Sequence, residues 1–130
     1  MTIAAPILAY NNSINIKINE AFKLKAGQDV YFPEEELKIS FISVITDTRI
    51  LNELNAVLNG NAVVLFIISH RGKEFEACLS TNKETKSVII KNYRIILKDL
   101  APYPSDSRII FHSRYTATLL IRTIKDGVYS

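Results

Sequence analysis

The sequence predicts an all-β protein, an antiparallel β-sandwich or a closed β-barrel of about eight to nine strands, with one short helix at about residues 48–59. Three observations point there. Apolar residues recur at every second position along most of the chain, the mark of strands with one buried face. The runs are short and are separated by polar or Gly/Pro-containing turns, as in sandwiches and barrels. One stretch, DTRILNELNAVLNGNA at 47–62, breaks this rhythm with apolar residues three to four apart.

Taken in order, AFKLKA sets Phe22 and Leu24 against Lys23 and Lys25, and Gly27 then supports a turn. QDVYF continues as strand to Pro33, and PEEE is a polar loop. In LKISFISVIT the residues Leu37, Ile39 and Phe41 alternate, after which the parity moves to Ile42 and Val44. Such a slip predicts a bulge or bend, of the kind seen where one strand serves two sheets or a barrel corner. The helical stretch follows, with Ile50, Leu51, Leu54, Val57 and Leu58 on its spacing. Asp47 or Thr48 is placed to cap its start, and Gly60 to close its end.

AVVLFIISH has no alternation, which fits a central strand covered on both faces. RGK turns the chain, KEFEACLST returns, NKET turns it again, and SVIIK starts the next strand. YRIILKDL places Tyr93, Ile95 and Leu97 on one face. APYPSDS is loop, because closely spaced prolines cannot donate to a ladder. RIIFHS reads as a short edge strand. RYTATLLIRTI alternates most cleanly, with Tyr115, Ala117, Leu119 and Ile121 facing one way. Residues 1–130 are expected as one domain, with about 1–12 and 125–130 as flexible tails.

Composition narrows the function classes. Hydrophobic residues make up 48% and charged residues 22%, ordinary for a globular chain. The net charge of +3 comes from the second part: residues 1–60 hold 5 Lys/Arg against 7 Asp/Glu, and residues 61–130 hold 11 against 6. These cations are single residues along strands, not the dense basic stripe of a nucleic-acid binder, so no nucleic-acid partner is expected. The longest apolar run, residues 62–68, is too short to span a bilayer. The N-terminal stretch lacks the basic start and apolar core of a signal peptide. With one cysteine, Cys78, these features give a cytoplasmic expectation.

FKLKAGQDVYFPEEELKISFISVITDTR, GNAVVLFI, YRIILKDLAPYP and YTATLLI together resemble a family of small bacterial β-proteins of unknown function, many of them secreted or lipid-anchored. The resemblance covers roughly residues 20–123. Its hallmark is an Asp-Ser-Arg-Cys-Pro segment, followed by a second Cys, a Trp and a Gly before a long apolar strand. Asp47, Thr48 and Arg49 fall on the Asp-Ser-Arg, and Gly60, Asn61 and Ala62 on the Gly and strand start. Ile50 and Ala56 stand at the cysteines, Leu51 at the Pro and Leu58 at the Trp. The resemblance implies a disulfide-clamped crossover whose clamp this chain has lost, with the apolar face of the expected helix as its replacement. Asp47, Arg49, Gly60 and Asn61 are accordingly read as a structural motif. Asp47 would be a cap, and Arg49 would tie the crossover to a neighbouring strand or carbonyl.

The residues offer no Gly-rich phosphate loop, no metal-spaced His/Cys cluster and no nucleophile elbow. No cofactor and no metal are expected. Two function classes follow. The first is a non-catalytic sandwich that binds a protein partner or assembles with itself, through edges such as SVIIK or RIIFHS. The second is a small barrel with an internal pocket that binds or converts a hydrophobic metabolite by cyclisation or isomerisation. In that case Tyr115, His112 and Arg114 are the candidate acid and charge-stabilising groups, with Tyr93, Arg94 and His70 as candidate ligand contacts. The enzyme reading is the weaker of the two, because tyrosines at alternating strand positions ordinarily serve cross-strand packing.

Overall fold

The computed structural model describes residues 17–52, 57–103, 110–125 and 128–129. Eleven strands order the described residues: β1 (Phe22–Lys25), β2 (Asp29–Phe32), β3 (Leu37–Asp47), β4 (Ile50–Asn52), β5 (Val57–Asn59), β6 (Ala62–His70), β7 (Lys73–Ser80), β8 (Ser87–Ile90), β9 (Tyr93–Ala101), β10 (Thr116–Lys125) and β11 (Val128–Tyr129). The one sheet runs β1-β10-β9-β8, with β11 pairing β10. The other runs β2-β3-β6-β7, and β4 and β5 form a hairpin. All ladders are antiparallel.

Strand after strand pairs with its neighbour in sequence, and β10 returns to pair β1. That is the order of an up-and-down barrel, yet the barrel does not close. The chain leaves one sheet for the other between β1 and β2, and again between β7 and β8, and no ladder forms across either passage. At the first seam Ala26 N–H donates to Tyr115 O, while Gly27 N–H donates to Phe41 O and Phe41 N–H to Gln28 O. Adjacent residues thus serve opposite sheets. At the second seam Asn82 caps a 3-10 turn (Lys83–Thr85) by accepting from Glu84 N–H at 3.1 Å. The Ser80 and Thr85 hydroxyls bond each other there. Of the two expected architectures the closed barrel is not formed, and the described residues make two open antiparallel sheets.

Alternation places the core between those sheets. Ala62, Val64, Phe66 and Ile68 from β6 are fully buried, as are Leu37 and Ile39 from β3 and Ile95, Ala117, Leu119 and Ile121 from the facing sheet. Phe22 on β1 meets Phe32 on β2 at 5.5 Å between ring centroids, joining the sheets at the first seam. The other face of β6, with Val63, Leu65 and Ile67, is half-buried. The double cover expected for this strand is thus a single cover, with partial shielding by β3 and β7.

The parity slip in β3 has a structural counterpart. Its register against β6 shifts between Phe41 and Ser43 and again between Val44 and Thr46. The residues left out of register are Ile42 and Ile45, which stand 42% and 51% exposed. β3 nonetheless stays in one sheet. A third shift, between Thr118 and Leu119 opposite Leu97–Asp99, lets both Leu97 and Leu100 face the core.

The helix expected at about 48–59 does not form. The chain continues as the β4–β5 hairpin, with Ile50 opposite Asn59, Leu51 opposite Leu58 and Asn52 opposite Val57; residues 53–56 lie outside the described residues. The physical reason lies at the hairpin's base. Thr48 N–H donates to Asn61 O at 2.8 Å, the Thr48 hydroxyl donates to the same oxygen at 2.9 Å, and Asn61 N–H donates to that hydroxyl at 3.2 Å. Thr48 is thereby committed across the strands and not to a helix start. A two- to three-turn helix is marginal alone, whereas the hairpin prolongs a ladder already nucleated by β3 and β6. Gly60 is no helix cap. It has φ +79°, and a Cβ there would lie 2.1 Å from Thr48 O. Ile50, assigned to the packed helical face, is 65% exposed.

Two smaller expectations also change. Ile110 and Phe111 are not in a strand, and His112–Arg114 form a 3-10 turn, so no edge strand runs through the described part of RIIFHS. The C-terminal stretch expected as a tail contains β11, which pairs Tyr129 with Ile124 and Val128 with Lys125. The tail expected at 1–12 lies outside the described residues.

Candidate functional site

The end of β3 gathers the densest polar cluster. Asp47 and Arg49 are two residues apart in an extended chain, which puts both side chains on one side. Arg49 Nε lies 2.9 Å from Asp47 Oδ1 and its Nη2 lies 2.9 Å from Oδ2, a two-toothed ion pair. The guanidinium also donates from Nη1 to Leu100 O at 2.6 Å and from Nη2 to Pro102 O at 3.1 Å. Tyr115 donates its hydroxyl to Asp47 Oδ2 at 2.8 Å, and Arg49 N–H donates to Oδ1 at 3.1 Å. Tyr103 lies over the guanidinium, 5.8 Å from ring centroid to Cζ, and donates to Asp99 Oδ1 at 2.6 Å. The Arg49 side chain is 1% exposed and that of Asp47 13%.

Electrostatics follow from this enclosure. Burial alone would raise the Asp47 pKa. Hydrogen bonds from Arg49 and Tyr115, and the charge of the guanidinium, outweigh it and hold the carboxyl below its ordinary 3.8. Burial, and then the hydrogen bond to Asp47 and its negative charge, push the Tyr115 phenol up to about 12. Tyr103 is raised by its bond to Asp99. Four of the five guanidinium N–H groups are placed on acceptors, and Asp47 receives four donors. This arrangement ties β3 to the β9–β10 connection and commits the Asp47 carboxylate and most of the guanidinium to the fold.

The catalytic candidates separate accordingly. Tyr115 is buried in the cluster, whereas His112 and Arg114 are exposed in the 3-10 turn. His112 Nε2 bonds Ile42 O at 3.1 Å. Of the ligand candidates, His70 and Tyr93 come together, rings edge-on at 5.5 Å and 71°, at the other end of β3. Arg94 lies on the outer face of β9, opposite Ile89 and Arg122. The two histidines are far apart: His70 is opposite Leu37, and Ile42, which holds His112, is about 17 Å further along β3 at strand rise. Among the described residues no three His, Cys, Asp or Glu side chains gather to hold a metal. Cys78 is exposed on β7.

Sequence reasoning passed over Phe111, Glu35 and Arg71, and took Tyr103 only as one of several amphipathic tyrosines, not as a partner of Arg49 and Asp99. Phe111 is 73% exposed next to His112, on the side where Ile42 and Ile45 leave the ladder. The signal for that flank was present in the β3 parity slip. The other three depend on contacts remote in sequence. Comparison with protein-family models, with curated proteins and with solved structures gives no match for this chain.

Proposed function

We propose that the chain is a non-catalytic β-sandwich that acts by binding, taking a protein partner or a second copy of itself on the flank of β3. One observation carries this reading: the out-of-register residues of β3 are both isoleucines, and both stand exposed, as do Phe111 and Ile50. Bulges re-aim side chains, and exposed apolar patches mark interaction surfaces. A conversion inside the fold finds little support, because the centre between the sheets is filled by side chains at 0–1% exposure. The polar cluster at the end of β3 is committed to holding the fold. A single domain over 1–130, a cytoplasmic setting and kinship with the small bacterial β-proteins that residues 20–123 resemble belong to the same reading. Among the described residues no helix is long and apolar enough to cross a membrane.

Sedimentation velocity over a range of concentrations tests the assembly arm. The expected result is a mass rising above the 14.7 kDa monomer, abolished by Ile42→Asp with Ile45→Asp. A photo-crosslinker at position 45 tests the partner arm in cells. A monomer at every concentration, together with no adduct from position 45, would sink the reading.

A further inference from the structure

AVVLFIISH reads as a strand covered on both faces, and the fold covers only one. Along β6, Ala62, Val64, Phe66 and Ile68 fill the core. Val63, Leu65 and Ile67 alternate with them on the outer face of the β2-β3-β6-β7 sheet and are half-buried. The outer face of a sandwich sheet ordinarily carries polar residues at such positions. Here it carries an apolar stripe, and Ile42 and Ile45, displaced from the ladder and exposed, widen that stripe on the β3 side.

The charges beside the stripe are split by it. Directly opposed residues share a face of the sheet, so the register sets Lys38 of β3, Ser69 of β6 and Glu74 of β7 in one row, and Ser40, Ile67 and Glu76 in the next. Lys38 and Glu74 are two strand spacings apart, roughly 10 Å, and no salt bridge among the described residues engages either. A two-fold axis laid along β6 in the plane of contact turns β7 of one copy over β3 of another and leaves each row at its own height. Glu74 of each copy then faces Lys38 of the other, and Glu76 falls over the neutral Ser40. Asp29, opposite Ser40 on β2, lies outside the overlap, because the second copy has no strand of this sheet beyond β7. Val63, Leu65 and Ile67 meet their own equivalents. The face is thus complementary to itself, which is the condition for an isologous dimer.

We propose that the β2-β3-β6-β7 sheets of two copies pack face to face about this axis, each supplying the missing second cover of the other's β6. The inference rests on the binding reading above and makes it specific: the partner is a second copy, and the surface runs from the β3 flank across β6 to β7. The apolar stripe provides the contact. The two Lys38–Glu74 pairs fix its register and exclude other alignments more than they add affinity. Aligned packing of sheet on sheet is the ordinary way for two such faces to meet.

Charge exchange, read by sedimentation velocity of the full chain over a range of concentrations, tests the proposal. Glu74→Lys and Lys38→Glu should each weaken the dimer at least about tenfold, because each sets like charges against one another in both contacts. The two substitutions together should restore the parental affinity. Leu65→Lys should abolish the dimer. A dimer that the single charge variants leave unchanged, or that the double variant does not restore, would overturn the two-fold along β6. A dimer lost in Ile42→Asp with Ile45→Asp but indifferent to Glu74→Lys and Leu65→Lys would overturn it too, while leaving the β3 flank reading standing. A monomer at every concentration also overturns it, and the flank reading then survives only if position 45 still forms an adduct in cells. Glu74 is exposed, so the charge exchange decides the matter even if Leu65→Lys does not fold.

Discussion

Replacing Arg49 by methionine should bring this protein close to unfolding. The substitution keeps an unbranched apolar stem and deletes the guanidinium. Asp47 then retains only the Arg49 N–H at 3.1 Å and the Tyr115 hydroxyl at 2.8 Å, with no counter-charge in contact. Leu100 O and Pro102 O lose the donors that reach them at 2.6 and 3.1 Å. Breaking a buried ion pair from one side costs about 3–5 kcal/mol. Each orphaned buried carbonyl adds about 1–3 kcal/mol if nothing replaces its donor. These losses overlap, because one group causes all of them, and the 13% exposure of the Asp47 side chain lets water recover part. The net cost is about 4 kcal/mol, against a total stability of about 5–15 kcal/mol for an ordinary domain. At roughly 3–5 °C per kcal/mol for this length, Tm falls by roughly 12–20 °C.

Denaturant unfolding by circular dichroism measures this, with the m-value checked for constancy. Adding Asp47→Leu to Arg49→Met should restore about 1–2 kcal/mol, because the uncompensated charge is removed along with its burial cost. A single variant within about 1 kcal/mol of the parent would refute the argument that a buried ion pair ties β3 to the β9–β10 connection. A double variant less stable than Arg49→Met alone would refute the part that assigns the cost to the stranded carboxylate.

Three further outcomes follow from the same geometry. The Asp47 carboxyl is held below 3.8 in the folded chain, so its contribution is present above that value and is lost as pH falls through the folded pKa; acid titration of stability should lose this component in Asp47→Asn. The Tyr115 phenol is raised from 10.0 to about 12, so its contribution, about 2–3 kcal/mol, is full below pH 10 and is lost as pH rises from about 10 to about 12. Ultraviolet titration should show a late phenol component near pH 12 that Tyr115→Phe removes. Gly60→Ala should cost more than about 2 kcal/mol, since Thr48 O occupies the Cβ position at 2.1 Å, whereas Gly72→Ala, with nothing within 4 Å, should cost only about 1 kcal/mol for its positive φ; thermal denaturation of both variants decides it.

The strands were legible because their signal is local. Tyr115, Ala117, Leu119 and Ile121 alternate in sequence and are all buried in the structure, since the pleat alone dictates which side each takes. The slip after Phe41 was legible for the same reason and marks the bulges at Ile42 and Ile45. The segment 47–62 misled because its spacing fits two structures. Leu51 and Leu58 are seven apart, which is two turns of a helix and also a directly opposed pair in a hairpin. What decides between them is the ladder arriving from Asp47 and Ala62, and a local pattern contains no record of that pairing. The Asp47–Arg49 pair was half legible. Its spacing puts both groups on one side of a strand, but its remaining partners are 51 to 68 residues away.

The sandwich-or-barrel question turns on those remote partners as well. The order of the strands suits a closed meander, and alternation along each strand is the same whether or not the ring closes. Closure is prevented at two corners, where Ala26 and Gly27 bond opposite sheets and where the Asn82-capped turn lifts the chain from β7 to β8. Leaving the ring open lets the sheets press together until Phe22 of one meets Phe32 of the other at 5.5 Å. On the proposed binding reading, a filled interior leaves recognition to the rim, where the isoleucines of β3 stand exposed. The corners that open the barrel are thus also what would put a binding surface on the outside, and the Asp47–Arg49 tie fixes the end of β3 against Leu100 and Pro102 beside it.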